Sequence, residues 1–313
     1  MLRRLQTKEQ RIPLQHKLKP LSVAFVAAAL GIATYSGMDV AMKGLALQVG
    51  AYNAMFWRSL ITIVLAGSLY WWRKPVWPSR LGLKLHVWRG FVVSIMAFLF
   101  FWGLKYLPVA EAIGLSFIAP LIALYLSAVI LHEQINRRSI VASVIGLIGA
   151  GVVIGGRLSG NYNVEMGQGI LAILCSAVLY AYNLILQRQQ ALVAAPTEIG
   201  FFQNLTVILV FGTLAPILAV VPPLAMIPQL FTASILGLFS MLMMSWAYAR
   251  APASTLLPVE YTAFAWAALL GWVFFSDTLT FTTLLGTAMI VTGCLVAAWQ
   301  TGETTDAVEN PAA

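Results

Sequence analysis

Beginning at Leu21, the chain alternates long apolar runs with short polar or Pro/Gly breaks. A hydrocarbon core about 30 Å thick is crossed by roughly 20 mostly apolar helical residues, and each run has about that length. Ten membrane-spanning helices are predicted, near Leu21 to Gly44, Asn53 to Trp72, Phe91 to Leu107, Val109 to Leu131, Ser139 to Ile154, Gly167 to Leu186, Glu198 to Val220, Gln229 to Ala249, Ala253 to Phe275, and Thr280 to Trp299. The fold class is all-α and integral to the membrane. Residues 1–20 form a basic leading segment and 300–313 a polar, disordered tail.

Composition agrees, since 60% of residues are hydrophobic and only 10% are charged. A soluble domain of this length could not hide that much apolar surface. The formal charge of +8 would suggest a nucleic-acid partner in a soluble protein, but the positions of the charges argue against one. With loops assigned alternately from a cytoplasmic N-terminus, the inside set holds Arg3, Arg4, Lys8, Arg11, Lys17, Lys19, Arg73, Lys74, Arg80, Lys84, Arg89, Arg137, Arg138, Arg188 and Arg250. Only Lys105 and Arg157 fall outside, so both termini are expected in the cytoplasm. The apolar stretch after the basic leader is too long for a signal peptide and lacks a small-residue cleavage site, so it reads as a retained first span. Cys175 and Cys294 lie within spans and offer neither a disulfide framework nor metal-ligand spacing.

Sliding the chain against itself by 144 positions brings Asp39 onto Asn183, Trp102 onto Trp246, Pro108 onto Pro252, Glu133 onto Asp277 and Gly149 onto Gly293. The chain thus divides into two similar modules, 21–157 and 166–299, of five spans each. An odd number of spans makes the second module enter the membrane with the opposite orientation. Such inverted repeats suit carriers, because exchanging the packing of the two halves exposes a midplane site to each side in turn.

Several motifs resemble the EamA-type transporters of the drug/metabolite transporter superfamily. They are Lys43 at the end of span 1, Trp57-Arg58-Ser59 in span 2, the run Leu107-Pro108-Val109-Ala110-Glu111-Ala112 leading to Ala119-Pro120, His132-Glu133 closing span 4, and the glycine-rich span 5. The second module carries Ala251-Pro252-Ala253 and Pro258-Val259-Glu260. The chain departs from the pattern where His132 replaces a glycine and where Ser276-Asp277 replaces Gly-Glu. The resemblance implies a ten-helix metabolite carrier of the bacterial inner membrane, often an exporter of amino acids or related compounds. Some relatives with a similar Pro-x-Ala-Glu-Ala run resemble importers of S-adenosylmethionine, so direction stays open.

Charged side chains within a bilayer are expensive and usually face a cavity or a partner. Asp39 and Lys43, four apart, share one helical face and can pair. With Arg58 and Glu111 they are expected at one depth in the outer half of the first module, as an outer gate or a substrate clamp, or alternatively as a static ion network that snorkels to the interface. The inverted set is Asn183, Gln203, Asn204 and Glu260. Of these Glu260 is the candidate protonatable group, its alternative being a carboxylate paired with Arg250 or capping backbone freed by Pro258. Pro120 and Pro258 are candidate helix kinks that free backbone groups for a ligand, or serve packing alone. Tyr35, Trp102, Tyr180, Trp246, Tyr248 and Tyr261 are candidate cavity walls, and Ser116 is the register partner of Glu260.

Other chemistry is not supported. The glycines of span 5, including the Gly151 to Gly155 step, read as close helix packing, and their spacing does not match a dinucleotide fingerprint. His16, His86 and His132 are expected at or outside span ends, and His132-Glu133 lacks the second histidine of a zincin. No enzyme, cofactor or metal is predicted. A channel or an intramembrane enzyme remains the reading of another class, with no pore-lining charge ring to favour the former. The expected partners are a small-molecule substrate, the lipid bilayer and a coupling proton, and a monomer suffices because two modules already form the pseudo-dimer.

Overall fold

A computed structural model describes residues 21–72, 77–133, 135, 137–157, 164–276 and scattered positions between 281 and 292. Within them the elements are helical throughout. The leading segment, most of the tenth predicted span, the polar tail, Asp277 and the Glu111 side chain lie outside the described residues.

Helix α1 runs Leu21–Trp72 and is broken only at Gly50, whose φ of 81° and ψ of 155° leave the helical region. A β-carbon is disfavoured there, so the two predicted first spans are one hinge-joined pair, residues 21–49 and 51–72. At 1.5 Å per residue, an unbroken helix of this length would be over twice the thickness of a hydrocarbon core. Helix α2 is Arg80–Gly103, started by Ser79, whose hydroxyl accepts from Gly82 N at 3.0 Å. Then follow α3 (Val109–Ser116), α4 (Ile118–Leu131), α5 (Arg137–Arg157), α6 (Val164–Val193) and α7 (Pro196–Gly212), the last opened by a proline in its first turn, where the missing N–H costs nothing. A single turn, α8 (Ala215–Leu218), leads to α9 (Ile227–Tyr248). Helix α10 (Ala253–Leu256) passes through a 3₁₀ segment, Leu257–Tyr261, into α11 (Thr262–Phe275).

Among the described residues, six helices are long and apolar enough to cross a membrane, and only 44 to 56% of their most apolar windows is buried within the protein. The remaining faces still present side chains such as Val64, Leu171, Val178 and Phe274. Helices that are apolar on both faces need a hydrocarbon solvent, so the chain is a multi-pass membrane protein. Halves of the sequence interleave, with α1 packed on α9 and α7, and α2 packed on α6.

Geometry repeats at the same 144-residue interval as the sequence. Pro108 and Pro252 precede α3 and α10 with nearly identical backbone angles (φ −56°, ψ 148° and φ −57°, ψ 148°). Helix α4 ends on His132 and α11 on Ser276, both left-handed at φ 55°. Between these landmarks each segment is interrupted, at Phe117 and across Leu257–Tyr261. Pro120 and Pro258 lack the N–H that would bond back to residues 116 and 254, which accounts for the interruptions.

Four expectations need correction. Span 3 starts at Arg80 and not near Phe91, because Arg80, Lys84 and Arg89 are helical rather than loop residues. Arg89 is therefore no topology charge, its side chain being 3% exposed. His86 is likewise buried in α2 rather than at a span end. Close packing of α5 occurs at Gly146, where a β-carbon would meet the Tyr261 ring at 2.7 Å, whereas Gly151 faces open space.

Candidate functional site

Two adjoining cavities lie at the centre, each walled by helices from both halves of the chain. The first, of about 680 Å³, brings together Asp39 from α1 and Glu260 from the 3₁₀ segment, with Ser116, Pro120 and the rings of Tyr35, Phe100, Phe117 and Tyr180. The second, of about 740 Å³, is lined by Arg58, Arg89, Asn183, Gln187, Gln203 and Asn204 together with methionines of α9. Ile32, Tyr35, Met96 and Tyr180 belong to both linings. One chamber is acidic and aromatic, the other basic and rich in amides.

Each carboxylate reaches its chamber because a local feature places it there. Asp39 sits on the buried face of the first arm of α1, 4% exposed, between the fully buried Met38 and Met42. The hinge at Gly50 returns the chain so that Arg58, on the second arm, comes back beside Asp39, and the two charges act on each other. Arg58 directs Nη1 at Met38 Sδ (3.1 Å) and fits because Gly237 opposite has no β-carbon, which would lie 3.0 Å from that nitrogen. Glu260 accepts from the Tyr180 hydroxyl at 2.5 Å. Arg250 does not reach it: that guanidinium lies 3.9 Å above the Trp246 ring and donates to Trp246 O at 3.1 Å. The alternative pairing of Glu260 with Arg250 is thus replaced by Tyr180.

Among the described residues, Asp39 Oδ1, Glu260 Oε1, Arg58 Nε and Gln203 Oε1 are buried without a hydrogen-bond partner. An unmade hydrogen bond on a buried group costs about 1 to 3 kcal/mol, more for an ion. With Ser240 Oγ, which also lines the second cavity, these make five such atoms from cavity-lining residues, a deficit that a polar ligand would relieve. Tyr35 stands between the chambers, close enough to feel Asp39, Arg58, Glu260 and Arg89 together.

Other candidates lie elsewhere. Lys43 donates to Leu107 O at 3.0 Å and lies 4.9 Å above the Phe275 ring, outside both linings. Trp102 packs edge-on against Tyr106 and, like Trp246, lines neither cavity. Tyr248 is fully buried, and Tyr261 packs on Phe117. Glu133 binds Ala253 N (3.2 Å) and Ser254 N (3.1 Å), capping α10, and forms a 3.4 Å ion pair with Arg188, which also donates to Tyr248 O.

Sequence reasoning singled out Asn183 but missed Arg89 and its two other acceptors, Gln187 and Gln190. Nε, Nη1 and Nη2 donate to Asn183 Oδ1 (2.8 Å), Gln190 Oε1 (2.6 Å) and Gln187 Oε1 (2.9 Å). A signal existed: Asn183, Gln187 and Gln190 stand at i, i+4 and i+7, a polar stripe on one face of a predicted span. Gln190 Nε2 meets His86 Nδ1 at 2.6 Å, and His86 Nε2 meets Glu198 Oε1 at 3.0 Å.

Interleaved halves, two adjoining polar-lined cavities and lipid-compatible faces fit a membrane protein that handles a polar solute. The chain belongs to the EamA-like transporter family, whose profile matches twice, over residues 22–155 and 167–299, placing it among the drug/metabolite transporters. It is similar to an uncharacterized transporter of Helicobacter pylori (26% identity, 78% of this chain and 84% of the relative). It is also similar to the pseudopaline exporter of Pseudomonas aeruginosa (25%, 88% and 95%) and the S-adenosylmethionine uptake transporter of Rickettsia prowazekii (24%, 85% and 89%). A solved crystal structure shares the fold with a TM-score of 0.70 at 20% identity, over 88% of this chain and 97% of its own.

Proposed function

We propose that the protein is an alternating-access carrier that exports an amino acid or related metabolite across a bacterial inner membrane. Ten helices, arranged as two five-helix modules of opposite orientation with both termini cytoplasmic, form the working unit. Support for the repeat comes from the helix starts, interruptions and left-handed ends that recur 144 residues apart. The observation that carries the reading is the acidic chamber, where Asp39 Oδ1 and Glu260 Oε1 are buried and unpartnered on opposite modules. A substrate ammonium group bonding both oxygens ties the modules together, and its release lets them rock apart.

Glu260 is also the proton-coupling group in this reading. A carboxylate buried among rings, with a tyrosine hydroxyl as its one partner among the described residues, changes charge only when the cavity is wetted. Protonation and ammonium binding then exclude each other at the same oxygen.

Import of S-adenosylmethionine is the second reading. The rings of Tyr35, Phe100, Phe101, Phe117 and Tyr180 around the acidic chamber suit a sulfonium centre with a flat base, and one similar protein carries that name. Counterflow in liposomes decides between them. Purified protein is reconstituted with unlabelled solute inside, and labelled amino acids, S-adenosylmethionine and a nucleobase are offered outside. Saturable uptake driven by internal solute establishes the carrier and its substrate. Fast, non-saturating flux without exchange establishes a channel instead. Glu260→Gln abolishes pH-gradient-driven transport and leaves exchange weakened, its affinity lowered by loss of the charged acceptor but no longer pH-dependent; an unchanged pH dependence removes Glu260 from the coupling role.

A further inference from the structure

Resting on the carrier reading, we infer that Arg89 is the specificity-determining residue that selects substrates with a free carboxylate. Arg89 is 3% exposed, lines the second cavity and, among the described residues, makes three hydrogen bonds, each to a neutral amide. Among the described residues no carboxylate forms an ion pair with it. A guanidinium carries five N–H donors, so two remain beyond the three in use. A buried cation held only by neutral acceptors is incompletely compensated, and an anionic group entering the cavity supplies what is missing.

The shift relates the neighbours of two arginines, though not the arginines themselves, since Arg58 falls on Phe202 and Arg89 on Ala233. Asp39 sits beside Arg58 in the first module, and its register partner, 144 residues on, is Asn183, which sits beside Arg89. One arginine has an acid for a neighbour where the other has the corresponding amide. The substrate carboxylate takes the place of that absent acid, while its ammonium group lies in the acidic chamber across Tyr35 and Tyr180.

His86 and Gln190 are positioning residues for Arg89. An arginine can only donate, so Gln190 must present its oxygen to Nη1 and its amide N–H to His86 Nδ1. His86 Nδ1 therefore accepts, and its Nε2–H donates to Glu198 Oε1. This chain fixes the imidazole tautomer and the amide orientation, and through them the plane of the guanidinium.

Competition in the counterflow assay tests the inference. Labelled L-methionine, L-arginine, L-phenylalanine and S-adenosylmethionine are each challenged with the unlabelled parent and with its decarboxylated amine. With a charge-assisted hydrogen-bond pair at stake, the amine competes about 10- to 100-fold more weakly than the parent. Arg89→Gln lowers that discrimination to within about threefold of unity, and Arg89→Lys retains part of it. Asn183→Asp supplies the acid from the protein and reverses the preference toward the amine, a result that also covers the case in which Arg89→Gln fails to fold. Equal competition by amine and parent in the wild type, or unchanged preference in Asn183→Asp, overturns the role of Arg89 while leaving the carrier intact. No counterflow of any of the four solutes overturns the carrier reading for this substrate class, and this inference with it.

Discussion

Glu133 is the point at which a single side chain joins the end of α4 to the start of α10. Its carboxylate holds two first-turn amides, Ala253 N and Ser254 N, and the Arg188 Nε at 3.4 Å, a distance that marks an ion pair rather than a hydrogen bond. Losing an N-cap costs about 0.5 to 2 kcal/mol, and hydrogen bonds to a charged acceptor contribute about 1.5 to 3 kcal/mol each. The Glu133 side chain is 13% exposed, so water recovers part of this. Glu133→Ala is expected to destabilise the protein by about 2 to 4 kcal/mol, and Glu133→Gln, which keeps one acceptor oxygen, by about half as much. Equilibrium unfolding in mixed detergent and SDS micelles measures both. Because the 3₁₀ segment with Glu260 follows α10 directly, exchange activity should fall in the same order. A Glu133→Ala protein within about 0.5 kcal/mol of wild type, the range of an inconsequential surface change, would refute this account of the clasp.

Two further perturbations probe the backbone and the site. His132→Gly and Ser276→Gly remove a β-carbon from left-handed positions at φ 55°, and each is expected to stabilise by up to about 1 kcal/mol, read in the same unfolding assay. A loss of stability in both would contradict the conformational argument. Gly237→Ala places a β-carbon 2.9 Å from Met38 Sδ and 3.0 Å from Arg58 Nη1. Transport should drop at least tenfold while stability falls by about 1 to 3 kcal/mol, the range for overpacking; full activity would mean that the Arg58 position does not matter.

Much of the architecture was legible because membrane helices declare themselves by length. The ends of α4, α9 and α11 lie within two residues of the predicted limits. His132 and Ser276, where the resemblance to EamA-type transporters implies a glycine, are both left-handed at φ 55°, a geometry the sequence did not reveal. Asp39, Arg58, Asn183 and Glu260 were singled out as intramembrane polar groups, and all four line the central cavities. Arg89 was not, for a physical reason: an arginine flanked by Lys84 and Arg80 reads as loop charge until three amides from another helix are seen to enclose it. Lys43 and the two repeat-related tryptophans erred the other way. Side-chain direction depends on which neighbouring helix supplies a carbonyl or a ring, and periodicity within one helix does not carry that information.

The central claim, that the joined chambers open to each side of the membrane in turn, is tested most directly by thiol accessibility. With Cys175 and Cys294 replaced by serine, single cysteines at Ser116 and Gln203 are exposed to an impermeant maleimide in right-side-out and in inside-out vesicles. The account predicts that both positions label from both faces and that a transported solute slows labelling at each. Labelling confined to one face, unaffected by solute, would contradict it.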